Sequence, residues 1–350
     1  MNKIIFILML FLVQNVLAGN DSTTAKNGKW PTKYCAARIE GMSPNKVISL
    51  GYDYEFGQTL KSSGIGSYDP KITAPVRETT GYKRVSGLRF SARAPIINSP
   101  KIIWQFGINY WAINYAKDYT TNTVTDPNFG ADLTRLTTAG INTSIYKPLN
   151  SKQFLIFQTS VDLNGDYNLG KIQPLKYLRY SGVVLYGKRV HDRKQWAIGL
   201  ARGYNAGLVN ILPMVMFNYT SPNKKWGTEI MLPARAWYRY TVNKNSLIRA
   251  GFELEGASYR ISNIKTSVSN FELRRGQLRF KGEYQCKLYK SFWLAIQSGY
   301  CTMLNFNLDI VQSDGKDVSR QFNGNEKYYS MINDLSNFWF LNLSLNFVSL

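Results

Sequence analysis

QLRFKGEYQCKL, running from Gln277 to Leu288, alternates one residue at a time. Leu278, Phe280, Gly282, Tyr284, Cys286 and Leu288 fall on one side. Gln277, Arg279, Lys281, Glu283, Gln285 and Lys287 fall on the other. Successive side chains of a strand point to opposite faces, so a period of two predicts strand, not helix. One such strand would suit the surface of a soluble sandwich.

The pattern recurs. Ile248, Ala250, Phe252 and Leu254 alternate with Arg249, Gly251, Glu253 and Glu255. Leu155, Phe157, Val161 and Leu163 alternate with Ile156, Gln158, Ser160 and Asp162. Near the C-terminus Trp339, Leu341, Leu343, Leu345 and Phe347 oppose Asn342, Ser344 and Asn346. In a sandwich the apolar faces meet in a core, whereas in a membrane barrel they meet lipid and the charged faces line a lumen.

Three features favour the barrel. The first is export: Lys3, the apolar run Ile4 to Val13 and Val16-Leu17-Ala18 read as a signal peptide over residues 1–18, cleaved after Ala18. The second is composition. Aromatics make up 14% of the chain, with 23 Tyr, yet the mean hydropathy is −0.25. No run approaches the roughly 18 apolar residues of a membrane helix, while barrel strands need be apolar on one side only. The third is rhythm. Short connections at Pro95 to Pro100, Pro148 to Lys152, His191 to Lys194, Ser221 to Lys225, Asn243 to Ser246 and Tyr289 to Ser291 are rich in turn residues. Between them lie longer polar stretches: Gln58 to Thr80, Lys117 to Gly130, Gly165 to Tyr177, Ser262 to Asn270 and Asp309 to Asp334. Short periplasmic turns and long outer loops are the barrel arrangement.

The expected fold is therefore all-β: a single antiparallel transmembrane β-barrel over residues 46–350, preceded by a polar periplasmic segment, residues 19–45, too short for a plug domain. About fourteen strands are expected if Trp226 to Leu232 and Ala234 to Val242 meet at Pro233, and twelve or thirteen if that alternation is unbroken. An even number brings both termini to the periplasmic side, which favours fourteen. A barrel of that size has a lumen between the filled eight-stranded type and the open sixteen-stranded porin.

Cys35, Cys286 and Cys301 are an odd number for an oxidising compartment, which argues against a disulfide framework. A turn at Lys290 sets Cys286 opposite Leu294 and Cys301 opposite about Phe280, so those two do not pair. One histidine and no CxxC leave no ligand set for a metal, and no cofactor is expected. Of 43 basic residues, removal of Lys3 with the signal leaves 42 against 22 acidic, a net charge of +20. An exported chain with no basic helix is a poor nucleic-acid binder, so no nucleic acid is expected. Lipopolysaccharide phosphates, outer-membrane lipid headgroups or an anion-favouring lumen suit the excess better, beside simple solubility of turns.

Leu212-Pro213 through Phe217-Asn218-Tyr219, then Trp226, Leu232-Pro233, Trp237-Tyr238, Tyr240 and Gly251 to Gly256-Ala257-Ser258-Tyr259-Arg260, resemble an uncharacterised outer-membrane β-barrel family of Bacteroidetes that carries a domain of unknown function. The resemblance covers roughly the second half of the chain. It implies an outer-membrane location and the barrel fold, and no activity. Outer-membrane proteins usually end in an aromatic residue read by the barrel-assembly machinery, an expected partner; here Phe347 is followed by Val348, Ser349 and Leu350.

His191 beside Asp192 is the one pair that invites a barrel-enzyme reading, but it sits in a short basic turn near no nucleophile, so no enzyme is expected. The candidate site is the lumen charge: Arg89, Arg93, Arg235, Arg239, Arg249, Glu253, Glu255, Arg279, Lys281, Glu283 and Lys287. Facing lipid near the midplane, each Lys or Arg would cost about 2 to 4 kcal/mol, so these residues are expected inside. There they either pair into ladders that brace the wall or leave surplus cations along an anion path. Trp104, Tyr110, Trp111, Tyr115, Tyr186, Trp196, Tyr238 and Trp339 are expected in interfacial girdles. The functional expectation is passive or facilitated transport of small solutes; the rival is a closed structural or surface-binding barrel acting through its outer loops.

Overall fold

The computed structural model describes residues 34–66, 75–121, 129–168, 175–205, 208–262, 271–310 and 329–349. The expected signal peptide lies outside the described residues. Sixteen strand segments form one antiparallel sheet: β1 (Asn45–Glu55), β2 (Gln58–Ser62), β3 (Glu78–Ser99), β4 (Ile102–Thr121), β5 (Arg135–Pro148), β6 (Gln153–Gly165), β7 (Leu178–His191), β8 (Lys194–Asn205), β9 (Leu208–Thr220), β10 (Trp226–Leu232), β11 (Arg235–Asn243), β12 (Ser246–Ile261), β13 (Phe271–Tyr289), β14 (Phe292–Ile310), β15 (Asn333–Leu335) and β16 (Phe338–Ser349).

The sheet closes because β1 pairs with both β3 and β16, Asp53 lying between Gly87 and Asn342. β2 continues β1 along β3, and β15 continues β16 along β2. Counted as staves, the barrel has 14 strands. Trp226–Leu232 and Arg235–Asn243 are two strands meeting at Pro233-Ala234, so the fourteen-strand alternative holds and twelve does not. The turn expected at Pro95 to Pro100 is tighter. β3 runs through Pro95 to Ser99 with a register shift at Pro95/Ile97, the kind of irregularity where a strand tolerates proline.

Midway along the barrel the outer face is apolar and the inner face charged. Leu200, Val184 and Leu343 on the outer face are 59%, 52% and 51% exposed, while the inward Arg279 and Glu283 are each 2% exposed. A soluble sheet sorts its residues the other way round. Tyr219, Trp226 and Tyr238 pack in series on the outside near the turns, and Tyr300 packs on Trp339 toward the loops. Trp111 and Tyr115, expected in the girdles, point inward: Trp111 reaches Asp53 and Tyr115 is buried against Tyr82. Their parity on β4 matches that of the lumen-facing Asn109, which the aromatic content alone does not reveal.

The lumen is filled at both ends. Toward the loops, Leu60, Tyr82, Ile113, Leu136, Tyr259, Phe271 and Phe306 belong to one apolar core inside the barrel. A single helical turn, Phe129–Asp132, enters it, with Phe129 against Phe306 and the Tyr82 hydroxyl donating to the Gly130 carbonyl. Fully burying each large apolar side chain stabilises by about 1.5 to 3 kcal/mol, so this core is a major brace. In the connection after β6, burial pushes the Tyr167 hydroxyl up to about 12, and it donates to the Leu163 carbonyl at 2.7 Å. Toward the turns, residues 34–44 fold into the mouth without joining the sheet. The Cys35 and Glu40 amides donate to Asn150 and Asp192, and Arg189 donates to the carbonyls of Ala36 and Arg38. The lumen is thus more filled than the intermediate width expected of fourteen strands, because apolar residues alternate inward as well as outward near the rim.

One stretch of wall is unlike the rest. β10 and β11 are 7 and 9 residues long, and above their hairpin the ladders of β9 and β12 diverge. The end of β12 leans across the lumen and bridges β6 at Arg260 and Gly165. Ser258 to Ile261 are buried on both faces as a result.

Candidate functional site

Between the two filled ends, the inward faces of β1, β3, β12 and β13 bring together six bases, Lys46, Arg89, Arg249, Arg275, Arg279 and Lys281, and five acids, Asp53, Glu55, Glu253, Glu255 and Glu283. The charges of β13 show why they meet: Arg279, Lys281 and Glu283 are spaced by two, because alternation is what aims a charge inward. Asp53 accepts from Arg89 Nε at 3.1 Å, Trp111 Nε1 at 3.1 Å and Asn342 Nδ2 at 2.7 Å. Glu55 accepts from Arg279 at 2.5 Å and Gln58 at 2.9 Å, with Arg275 at 3.6 Å. Glu255 lies between Arg89 at 3.7 Å and Arg279 at 3.6 Å. Lys281 pairs with Glu253, and Glu283 holds both Arg249 and Lys46.

Aromatic faces complete the cage. The guanidiniums of Arg89 and Arg275 lie 5.4 and 4.8 Å from the Trp111 ring centroid, and Arg279 lies 4.8 Å from that of Phe340. Such contacts strengthen as water is excluded. A chamber of about 150 Å³ remains, lined among others by Lys46, Asp53, Arg89, Glu253 and Glu255. At roughly 30 Å³ per water it has room for about five waters or a small polar solute.

Of the residues expected from sequence, Arg89, Arg249, Glu253, Glu255, Arg279, Lys281 and Glu283 meet in this network. Arg239 does not: it pairs with Glu229 at 3.3 Å nearer the turns, and Glu229 also accepts from the amide and hydroxyl of Ser43 at 2.8 Å. Arg93 and Arg235 are exposed, and Lys287 is half-buried near the turn rim, all outside the network. Lys46, Asp53, Glu55, Arg275 and Glu229 escaped sequence reading, with Trp111 expected in the girdles. The signal for two was present, since Gly51-Tyr52-Asp53-Tyr54-Glu55 alternates as cleanly as β13.

His191 stands exposed in its turn and accepts from the Arg193 amide at 3.2 Å. Cys286 lies opposite Leu294 as expected, and Cys301 lies opposite Arg279, one residue from the expected Phe280. All three cysteines are free; Cys35 and Cys301 are buried and Cys286 is half-buried.

Several solved structures align with most of the chain. An outer membrane channel from Pseudomonas putida F1 matches at 11% identity and a TM-score of 0.36, over 88% of this chain and 97% of that one. A Pseudomonas aeruginosa FadL homologue matches at 10% and 0.37, over 88% and 91%. The outer membrane protease OmpT of Escherichia coli matches at 7% and 0.33, over 88% and 98%. At these identities and scores the likenesses assign no activity, and the barrel stands on its own strand ladder. No curated protein matches. A family model described as Domain of unknown function (DUF6268) matches residues 88–347, from β3 through β16, and the chain belongs to that family.

Proposed function

We propose that the protein is an outer-membrane barrel for passage of small polar solutes, closed in this state, and that residues 34–44 are the movable closure at its turn end. The outward apolar face supports the membrane setting, since only a closed barrel or a helix can cross hydrocarbon with its backbone satisfied. The outer membrane, with short turns on the periplasmic side, follows from the expected export signal and the turn and loop rhythm. The observation that carries the reading is the chamber, a space of about 150 Å³ kept between two packed ends and lined by charge. A wall that needed only bracing would gain by filling it.

The closure is built to come away. Residues 34–44 make no strand ladder and are held by Arg189, Glu229, the Tyr146 hydroxyl against Cys35 and Ala36, Lys224 on Glu40 and a few backbone bonds, with Cys35 and Ile39 buried. Solute specificity would rest on Arg89, Lys46, Glu253 and Glu255 at the chamber wall. The role is non-enzymatic, with His191 serving its turn. The second reading, a closed barrel acting through its outer loops, draws on the apolar core at the loop end.

Planar-bilayer conductance and liposome swelling test the choice, using the full chain and the double variant Arg189→Gln, Glu229→Gln. Passage requires the loop-end core to yield as well as residues 34–44, and it predicts rare, small openings for the wild type and more frequent ones for the variant. A silent variant that still runs as a heat-modifiable folded barrel would reject passage in favour of the closed reading.

A further inference from the structure

The charge excess has a place in the fold. Six turns close the end of the barrel where β1 starts and β16 stops, and each carries a cation: Lys101, Lys152, Arg193, Lys224 with Lys225, Lys244 and Lys290. The only acid within these turns is Asp192. Lys224 reaches Glu40 at 2.8 Å, and the other turn lysines are exposed.

Three more lysines sit on the outer wall, not on the mouth. Lys188 follows Tyr186 and Val184 on the outward face of β7, Lys147 follows Ile145 on β5, and Lys194 precedes Trp196 and Ile198 on β8. Same-face neighbours are about 6.6 Å apart along a strand. Each of these ammonium groups therefore lies one step beyond apolar wall. Lys194 lies 5.7 Å from the Phe217 ring centroid and Lys290 5.1 Å from that of Tyr289.

We infer that this end of the barrel is a lysine collar that binds the phosphates of anionic phospholipid headgroups in the leaflet it crosses. A soluble polyanion or acidic protein arriving from the aqueous side would meet the turns. It would not reach the wall-facing Lys147, Lys188 and Lys194, which stand at headgroup height against the side of the barrel. Long side chains there extend their apolar stems along the wall and their charge to the interface. The inference rests on the membrane-spanning reading and is independent of whether solute passes.

The test reconstitutes the full chain in zwitterionic bilayers containing spin-labelled phosphatidylglycerol or phosphatidylcholine of identical chain. The motionally restricted fraction of each label is then compared. The expected result is a preference for phosphatidylglycerol of about threefold or more at low ionic strength, falling toward unity near 1 M salt. The variant Lys147→Gln, Lys188→Gln, Lys194→Gln, Lys290→Gln should lose the preference while remaining a heat-modifiable barrel. Equal restriction of both lipids by the wild type, or an undiminished preference in the variant, overturns the collar. So does binding of a soluble polyglutamate without lipid preference. A chain that never inserts into the bilayer overturns the membrane-spanning reading itself; one that inserts without preference overturns the collar alone.

Discussion

Glu55 shows how much a single side chain carries. It is fully buried and neutralises Arg279 and Arg275, from a strand more than two hundred residues away in sequence. Removing one member of a buried pair costs about 3 to 5 kcal/mol, because the remaining charge is left without a partner. Glu55→Ala is therefore expected to lower the unfolding free energy in detergent by about that amount. Arg279 keeps Glu255 at 3.6 Å, so the cost falls on Arg275, and a loss below about 1 kcal/mol would mean that Arg275 is solvated and the network is not closed. Lys287→Ala, outside the network, is expected to change stability by less than about 0.5 kcal/mol in the same assay. Seven of its eleven charges were legible, most of them because alternation on β12 and β13 shows which charges face inward. Its partners on β1 were not singled out, and cross-lumen pairing is a property of closure that no local window contains.

Among the elements, the segment before β1 departs most from its sequence reading. Its polar, Pro-containing composition reads as a segment too short for a plug domain, and eleven residues, 34–44, still fill the turn end where Arg189 and Glu229 reach in from the wall. Ser43→Ala with Arg189→Gln is expected to free this segment. Limited proteolysis of the folded barrel should then cut within residues 34–44 on the order of a hundredfold faster, as loss of three hydrogen bonds worth about 1 kcal/mol each would allow. Unchanged cleavage would show that the backbone contacts to Asn150 and Asp192, with Tyr146 on Cys35 and Lys224 on Glu40, suffice to hold it. The β10–β11 hairpin was legible at Pro233. The lean of β12 above it was not, since Gly256 to Ile261 read like any wall strand until the missing ladder partner is known. The inward-facing core residues were hidden for a related reason: Leu60, Ile113 and Leu136 look lipid-facing by type, and only parity within the closed sheet places them inside.

For the molecule as a whole, two charge distributions coexist. The central network is nearly neutral, six bases against five acids, while the turn rim is strongly basic. The lumen network accordingly supplies little of the +21 excess. On this account anion preference, if conductance is opened by freeing residues 34–44, comes from exposed Arg93 and Arg235 and not from the paired network. Arg93→Gln with Arg235→Gln should reduce anion over cation selectivity in reversal-potential measurements, whereas Arg249→Gln should leave it near its starting value. Fold class, strand number and turn positions were open to sequence reading because they depend on period and punctuation. The closed lumen was not, because it depends on which residues meet across about twenty ångströms of barrel, a scale set by strand number and shear.

Everything above rests on the outer face meeting lipid, and Leu200→Arg tests that most directly. Leu200 lies midway along β8 and is 59% exposed. Its unfolding free energy would be measured for the full chain reconstituted in phospholipid bilayers. The predicted result is a loss of about 2 to 4 kcal/mol, the cost of arginine near the bilayer midplane. A change within about 0.5 kcal/mol, as for an exposed position in water, would contradict the lipid-facing barrel.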